Sequence, residues 1–320
     1  VKYDCIIVGG GIAGTQAAIQ LGRYCRQVAV IDGGYGRSTL CRAYHNLLGW
    51  PEGVSGATLR ARGRQQSEAY GVTWVEDWVE TILNHEHSFE VHTRTGKNLS
   101  GLRLLLATGI LDNLPDIPGL SACLGISVYV CPDCDGYEVR GQKTVVLGQG
   151  KAGAQMALAL TYWQPQLVYI DHGATPLPTD LSHALQQHGI KRLQAQAKRI
   201  HENGGQLHAI EFTDGSSLEV ERAFVAFGHN TVHSELAQQI GVSLHHNKHI
   251  LVDARTKATS VPFVWAAGDV VAHSEQVSIA MGDGSQAAIW MHKSLPPLST
   301  FPEKWPDPST AMTLRHEIRV

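Results

Sequence analysis

The feature that most constrains this chain is a glycine-bearing unit that occurs twice. Residues 3–32 run from an apolar stretch through Gly9-Gly10-Gly11-Ile12-Ala13-Gly14 and an Ala-rich segment to Val28-Ala29-Val30-Ile31-Asp32. Residues 143–171 repeat that order, with Gly148-Gln149-Gly150-Lys151-Ala152-Gly153 as the turn and Leu167-Val168-Tyr169-Ile170-Asp171 as the close. In both copies the acid follows the third glycine by 18 residues (32 minus 14, and 171 minus 153). That spacing matches the strand, turn, helix, strand unit that cradles a dinucleotide: glycines allow the tight turn, the close approach of a pyrophosphate and helix-on-strand packing. One such motif is weak evidence, because tight turns under helices share it; two in the same context are much stronger. The expected fold class is therefore α/β, with two Rossmann-like (FAD/NAD(P)-binding) domains.

Length agrees, since 320 residues exceed one compact domain by the usual prior, and 43% hydrophobic residues supply a core. Further strands are expected where Leu104-Leu105-Leu106-Ala107 meets Thr108-Gly109, where residues 223–227 meet Gly228-His229-Asn230, and where residues 261–267 meet Gly268-Asp269. Beyond about His292 the chain turns Pro-rich through Pro296, Pro297, Pro302, Pro306 and Pro308, which argues against regular structure there. A formal net charge of -3 gives no basic excess to draw nucleic acid or an anionic membrane. No apolar run is long enough to span a bilayer, and the cytoplasm is the expected compartment.

At the first turn Asp32 is placed to accept hydrogen bonds from a ribose, which reads as an adenine-dinucleotide site without separating FAD from NAD. The later Trp265-Ala266-Ala267-Gly268-Asp269 points to FAD, because it puts a carboxylate where a ribityl chain could use it. At the second turn, Gly148, Gly150, Gly153 and Asp171 carry the fingerprint, yet no Lys or Arg follows before Lys191. A carboxylate facing a 2′-phosphate is repulsive, so NADPH is disfavoured. NADH, a second flavin, or no nucleotide remain open.

Six cysteines are too few for a secreted disulfide scaffold. Cys5 and Cys25 read as buried, inert thiols, and Cys41 and Cys123 stand in less regular sequence. Only Cys131 and Cys134 are paired, in Cys131-Pro132-Asp133-Cys134-Asp135-Gly136, with the spacing of a reversible small-ring disulfide. Zinc is the rival reading, but it needs about four ligands and no second pair exists, so no metal is expected. Asp135 is the nearest acid for protonating a sulfur; the bland alternative is a turn-forming Asp before Gly. Among 17 histidines, His45, His229 and His273 lie near these motifs, with ordinary loop roles open to them.

With these pieces in order, residues 1–292 or so resemble the low-molecular-weight thioredoxin reductase family. The match rests on Gly9-x-Gly11-x-x-Gly14, Ala107-Thr108-Gly109, Cys131-x-x-Cys134-Asp135-Gly136, the second unit, Gly228-His229, Ala267-Gly268-Asp269, Gln276 and Gly282-Asp283-Gly284. The resemblance implies a homodimer with FAD, and a second domain inserted into the first: residues 1–117 and 245–292 for FAD, 118–244 for the insert bearing the disulfide, and 293–320 as a tail. It implies that Cys134 faces the flavin, that Cys131 meets the partner and that Asp135 is the acid. It carries cofactor contacts onto Gly9, Gly11, Ile12, Ala13, Gly14, Asp32, Gly33, Asn46, Ala107, Thr108, Gly109, Gly268, Asp269, Gln276 and Val277.

Three departures bear on the electron donor. Asp171-His172-Gly173 stands where NADPH-using members carry arginines, Glu275-Gln276 replaces an Arg-Gln pair, and the tail, with Phe301 and Trp305, has no counterpart in the plain reductases. The expectation is a disulfide oxidoreductase serving thioredoxin or a small disulfide, with NADH, ferredoxin or a second flavin as donor. Lys191, Arg192, Lys198 and Arg199 would offer ferredoxin a basic patch. Two alternatives are a dithiol oxidase using oxygen, suggested by Gly136-Tyr137-Glu138, and a flavin-based redox sensor.

Overall fold

A computed structural model describes residues 2–174 and 176–298. The chain forms two compact units. Among the described residues the first comprises 2–39, 56–111 and 232–298, the second 40–55 and 112–231. The excursion 40–55 groups with the second unit.

The first unit is built on a seven-stranded sheet. Its centre is the strand Lys2–Val8, paired in parallel with Val28–Asp32 on one side and Asn98–Leu106 on the other. The last four residues of Lys2–Val8 are buried, as a central parallel strand covered on both faces requires. The nine-residue strand Asn98–Leu106 serves two neighbours. Its first half pairs antiparallel with Ser88–Thr93, and its second half pairs parallel with Val264–Ala266. The strand Thr73–Glu76 closes one edge and Val79–His85 the other.

Two helices cross one face of this sheet in close contact. A Cβ on Gly284, in Val277–Ser294, would lie 2.2 Å from the Ala13 carbonyl oxygen in Ile12–Arg23, so only glycine permits that approach. The helix Val277–Ser294 runs past the expected boundary at His292, and the proline-rich stretch enters the described residues only through Pro296 and Pro297. Phe301, Pro302, Trp305, Pro306 and Pro308 lie outside them.

The second unit repeats the plan. Its parallel sheet runs Lys191–Gln194, Leu167–Asp171, Thr144–Gly148, Arg222–Ala226, Val128–Tyr129, with a separate three-stranded antiparallel sheet, Ala197–Asn203, Gln206–Phe212 and Ser217–Glu219. In both units the fingerprint turn leaves a strand flanked by parallel neighbours on each side. This is the topological switch point where open α/β sheets take ligands. Among the described residues no helix is long and apolar enough to cross a membrane.

Candidate functional site

In the first unit the turn 9–14 is locked from beneath. Gly9 has φ 103°, and a Cβ there would sit 2.2 Å from the Ala107 oxygen; one on Gly14 would sit 1.9 Å from the Gly9 oxygen. Gly11 differs, because a Cβ there would meet nothing within 4 Å. Gly11 caps the helix Ile12–Arg23, whose first turn holds no acid. Open space in front of helix-terminal N–H groups is what a pyrophosphate needs.

Asp32 lies at the end of the neighbouring strand. It accepts from Gly10 N–H at 3.1 Å and pairs with Arg60 at 2.7 Å. Its carboxylate still lines a cavity of about 630 Å³ with Gly10, Arg64, Trp74 and Trp78, and a second of about 260 Å³ with Val8, Gly9 and Thr108. Gly33 is pressed against the Trp78 ring, which a Cβ would meet at 2.3 Å.

The remaining first-unit residues collect at the same sheet edge. Ala107 donates its N–H to Val8, and Ala267 donates to Leu106, which ties three strand ends together. Thr108 donates its hydroxyl to the His233 carbonyl, and Gly109 follows with φ 68°. Gly268, at φ 78°, packs on Ala13 and donates its N–H to Asp283 at 3.1 Å. Gln276 caps the helix that begins at Val277. Asn46 is the exception: it belongs to the excursion grouped with the second unit and is exposed in a turn.

Several partners here escape a reading of motifs. Arg37 meets both Asp269, at 3.2 Å, and Glu275. The cation missing from position 275 is thus supplied from 238 residues away, and His249 adds a contact to Glu275 at 3.4 Å. His273 is no ordinary loop residue, since its Nε2 lies 2.5 Å from the buried Asp283, whose other oxygen holds Lys257 at 2.7 Å. The Asp283 pair raises the His273 pKa above the ordinary imidazole value.

The second fingerprint is closed on itself. Asp171 is fully buried, accepts from Gly150 N–H at 3.2 Å, and is clasped by Arg192, whose Nε lies 3.1 Å from it. Gly153 packs on the Tyr169 ring, while the Tyr169 hydroxyl donates to the Gly150 carbonyl at 3.0 Å. The expected repulsion between Asp171 and a phosphate therefore gives way to a different fact: this carboxylate faces protein. The same contact removes Arg192 from the expected basic patch, and Lys198 is paired with Glu211.

Cys131 caps the short helix Pro132–Asp135, with Pro132 in its first turn. Asp135 N–H donates to the Cys131 carbonyl at 3.0 Å, closing the turn around the two sulfurs. Burial, then the neighbouring Glu138, pushes the Asp135 carboxyl up to about 7. A carboxyl that stays protonated near neutrality can act as a general acid. Cys5 is buried as expected, but Cys25 is only partly covered and sits beyond its helix with φ 56°. Among the described residues no three His, Cys, Asp or Glu side chains are grouped as metal ligands.

The model of the pyridine nucleotide-disulphide oxidoreductase family matches residues 3–284, which include both fingerprints and the cysteine pair. The chain belongs to that family. Among the relatives of this family member are "Thioredoxin reductase tcpT" of Claviceps purpurea, 30% identical over 89% of this chain and 91% of its own, and "Probable thioredoxin reductase" of Arthroderma benhamiae, 28% identical over 92% of this chain and 80% of its own. The solved structure of HlmI is similar with a TM-score of 0.82 at 29% identity, covering 98% of this chain and 96% of that one. This member is accordingly a flavin-dependent, thioredoxin reductase-like disulfide oxidoreductase, and membership implies FAD. The open Gly11, the cavities lined by Asp32 and the helix N-termini at 12 and 277 fit that cofactor.

Proposed function

We propose that the protein holds FAD at the first fingerprint and exchanges electrons between it and Cys131/Cys134, serving a protein or small-molecule disulfide, with a donor other than NADPH. The observation that carries the donor reading is the contrast between the two acids. Asp32 lines open cavities, whereas Asp171 has no exposed surface and is held by Arg192. A ribose would have to displace a buried ion pair to reach Asp171, at a cost of several kcal/mol.

Bound FAD would supply two-electron transfer between the donor and the disulfide. The chain's own residues divide the remaining work. N–H groups at the start of Ile12–Arg23 bind the pyrophosphate, Asp32 the ribose, and Asp269 the ribityl chain, with Arg37 fixing Asp269 in place. Asp135 gives a proton to the sulfur released when the Cys131/Cys134 disulfide opens. Cys131 then exchanges with the substrate disulfide, for which thioredoxin is the first candidate because relatives carry the name thioredoxin reductase. A homodimer accords with the family resemblance.

A second reading is a dithiol oxidase, in which electrons run from substrate to flavin and on to oxygen. What favours it is a cavity of about 360 Å³ in the second unit that reaches Pro132, between the two cysteines, and is lined by Val130, Met156, Val225 and Phe227. Its size, and a lining that sets these apolar residues beside Asp112, Asn113, Gln155 and Asn230, suit a small organic dithiol or disulfide with polar groups. Anaerobic mixing of the flavin-loaded protein with NADPH, NADH, reduced ferredoxin or a small dithiol tests both readings. Bleaching of the flavin band by ferredoxin supports the reductase, bleaching by a dithiol with fast recovery in oxygen supports the oxidase, and rapid bleaching by NADPH overturns the donor assignment.

A further inference from the structure

The strand Val264–Ala266 passes into the helix Val277–Ser294 through the loop 267–276, which carries Asp269 near its start and Gln276 at its end. The first half of the loop is held by backbone bonds: Ile250 N–H donates to Val270 at 2.8 Å, and Ala272 N–H donates to Ile250 at 3.1 Å. The second half leans on side chains. Glu275 meets Arg37 and His249, and His273 reaches forward to Asp283 on the helix.

The contacts of His273 set the charge of its ring. Nδ1 lies 2.8 Å from the Ser274 carbonyl oxygen, which can only accept. Nε2 lies 2.5 Å from Asp283 Oδ2. Asp283 is buried, and its carboxylate also accepts from Gly268 N–H at 3.1 Å and from the Lys257 ammonium at 2.7 Å, so it faces His273 as an acceptor too. Two acceptors call for two ring protons, and only the imidazolium carries both. When the ring gives one proton to solvent, a single N–H remains and one of the two bonds is lost.

We propose that His273, held as an imidazolium between Ser274 and Asp283, is the positioning residue for residues 273–276 of the loop, so that FAD affinity follows this proton. The proposal rests on the reading of Asp269 and the start of Val277–Ser294 as cofactor contacts. The charges around the ring agree with it. The hydrogen bond to Asp283, from the helix, favours the cation, while partial burial and Lys257, which follows Asp253 in the preceding turn, oppose it. On the loop itself Glu275 is shared between Arg37, from Arg37–Leu40, and His249. The bond to Asp283 prevails, and the ring titrates above the ordinary imidazole value. With a neutral ring the closed loop becomes one conformation among several, and a cofactor that binds the closed one is weakened by the fraction that remains closed.

Diluting the flavin-loaded protein and reading released FAD by its fluorescence gives the dissociation constant between about pH 6 and about pH 9. His273→Asn keeps one donor and one acceptor, as the neutral ring does. Dividing its dissociation constant by that of wild type at each pH cancels the titration of FAD and of the other groups. The ratio should be about 5 to 10 near pH 6 and fall to within about 2-fold of unity near pH 9, where wild-type-like binding also shows that the variant is folded. Nitrogen-15 NMR of the flavin-loaded protein, with the His273 signals assigned by their loss in the variant, should find both ring nitrogens predominantly protonated at about pH 7. A ratio that does not change with pH, or a neutral ring at about pH 7, overturns the role of His273. Asp269→Asn tests the underlying reading separately, since it should weaken FAD binding at least about tenfold at every pH. If Asp269→Asn binds FAD as wild type does, the loop is not the cofactor contact and that reading falls, whatever the His273 ratio shows.

Discussion

Replacing Arg192 by Met separates a structural acid from a ligand-binding one. Asp171 has no exposed surface, and besides Arg192 its carboxylate meets the Gly150 N–H and the Tyr169 hydroxyl. Removing the guanidinium leaves a buried charge with partial compensation, which costs about 3–5 kcal/mol. For a unit of this size that lowers the thermal midpoint by about 6–15 °C. The double variant Arg192→Met/Asp171→Asn no longer buries a charge and should recover to within about 1 kcal/mol of wild type. Thermal unfolding of the flavin-loaded protein reads all three. NADH or NADPH at millimolar concentration should leave the wild-type midpoint unmoved, because a ligand stabilises only the state it binds. A cost below about 1 kcal/mol for Arg192→Met, or a clear rise in midpoint with either nucleotide, would refute the closed-site reasoning.

Further expectations concern the turns and the titrating groups. Gly11→Ala should leave the stability of the flavin-free protein within about 0.5 kcal/mol of wild type yet weaken FAD binding at least about tenfold, because the added methyl meets only ligand space. Gly14→Ala should cost stability as well, since its methyl would collide with the Gly9 carbonyl; equilibrium dialysis and unfolding separate the two cases. The Asp135 carboxyl titrates higher folded than unfolded, so its contribution is fully present below about pH 4 and lost as pH rises through about 7. Asp135→Asn should therefore gain about 2 kcal/mol on wild type at pH 8, after allowing for residual solvent contact, and nothing at pH 4; urea titrations at both values check this. His273 is also raised, by Asp283, so its contribution is present at low pH and lost as pH rises through its folded value. In His273→Asn that alkaline loss should disappear from a stability profile measured between pH 5 and 9.

Much of the fold could be read in the sequence because the two turns carry their own geometry. Gly9 and Gly14 are dictated by contacts under 2.5 Å, and largely apolar strands flank the two turns, 2–8 and 28–32 the first, 144–148 and 167–171 the second. The antiparallel strands were harder to see. Ser88–Thr93 buries only alternate residues, Gln206–Phe212 buries Leu207, Ile210 and Phe212, and neither has a glycine fingerprint to announce it. The cysteine pair and Asp135 were legible because four to five consecutive residues define them. Partners distant in sequence were not: Arg192 reaches Asp171 through strand pairing, His45 reaches Glu138 from 93 residues away, and Arg37 meets Glu275 across most of the chain. The unusual Glu275 did leave a signal, since a carboxylate in place of an arginine calls for a cation from elsewhere. For Asp171, the sequence placed the acid at the end of its strand but not the direction it faces, and the proposed donor reading rests on that direction.

The central claim is that flavin and the Cys131/Cys134 pair form one electron-exchanging unit. Anaerobic reductive titration of the flavin-loaded protein with dithionite tests it most directly. Wild type should accept about four electrons per chain, two for the flavin and two for the disulfide, and Cys131→Ser/Cys134→Ser about two. Equal uptake of about two electrons by both proteins would contradict the account.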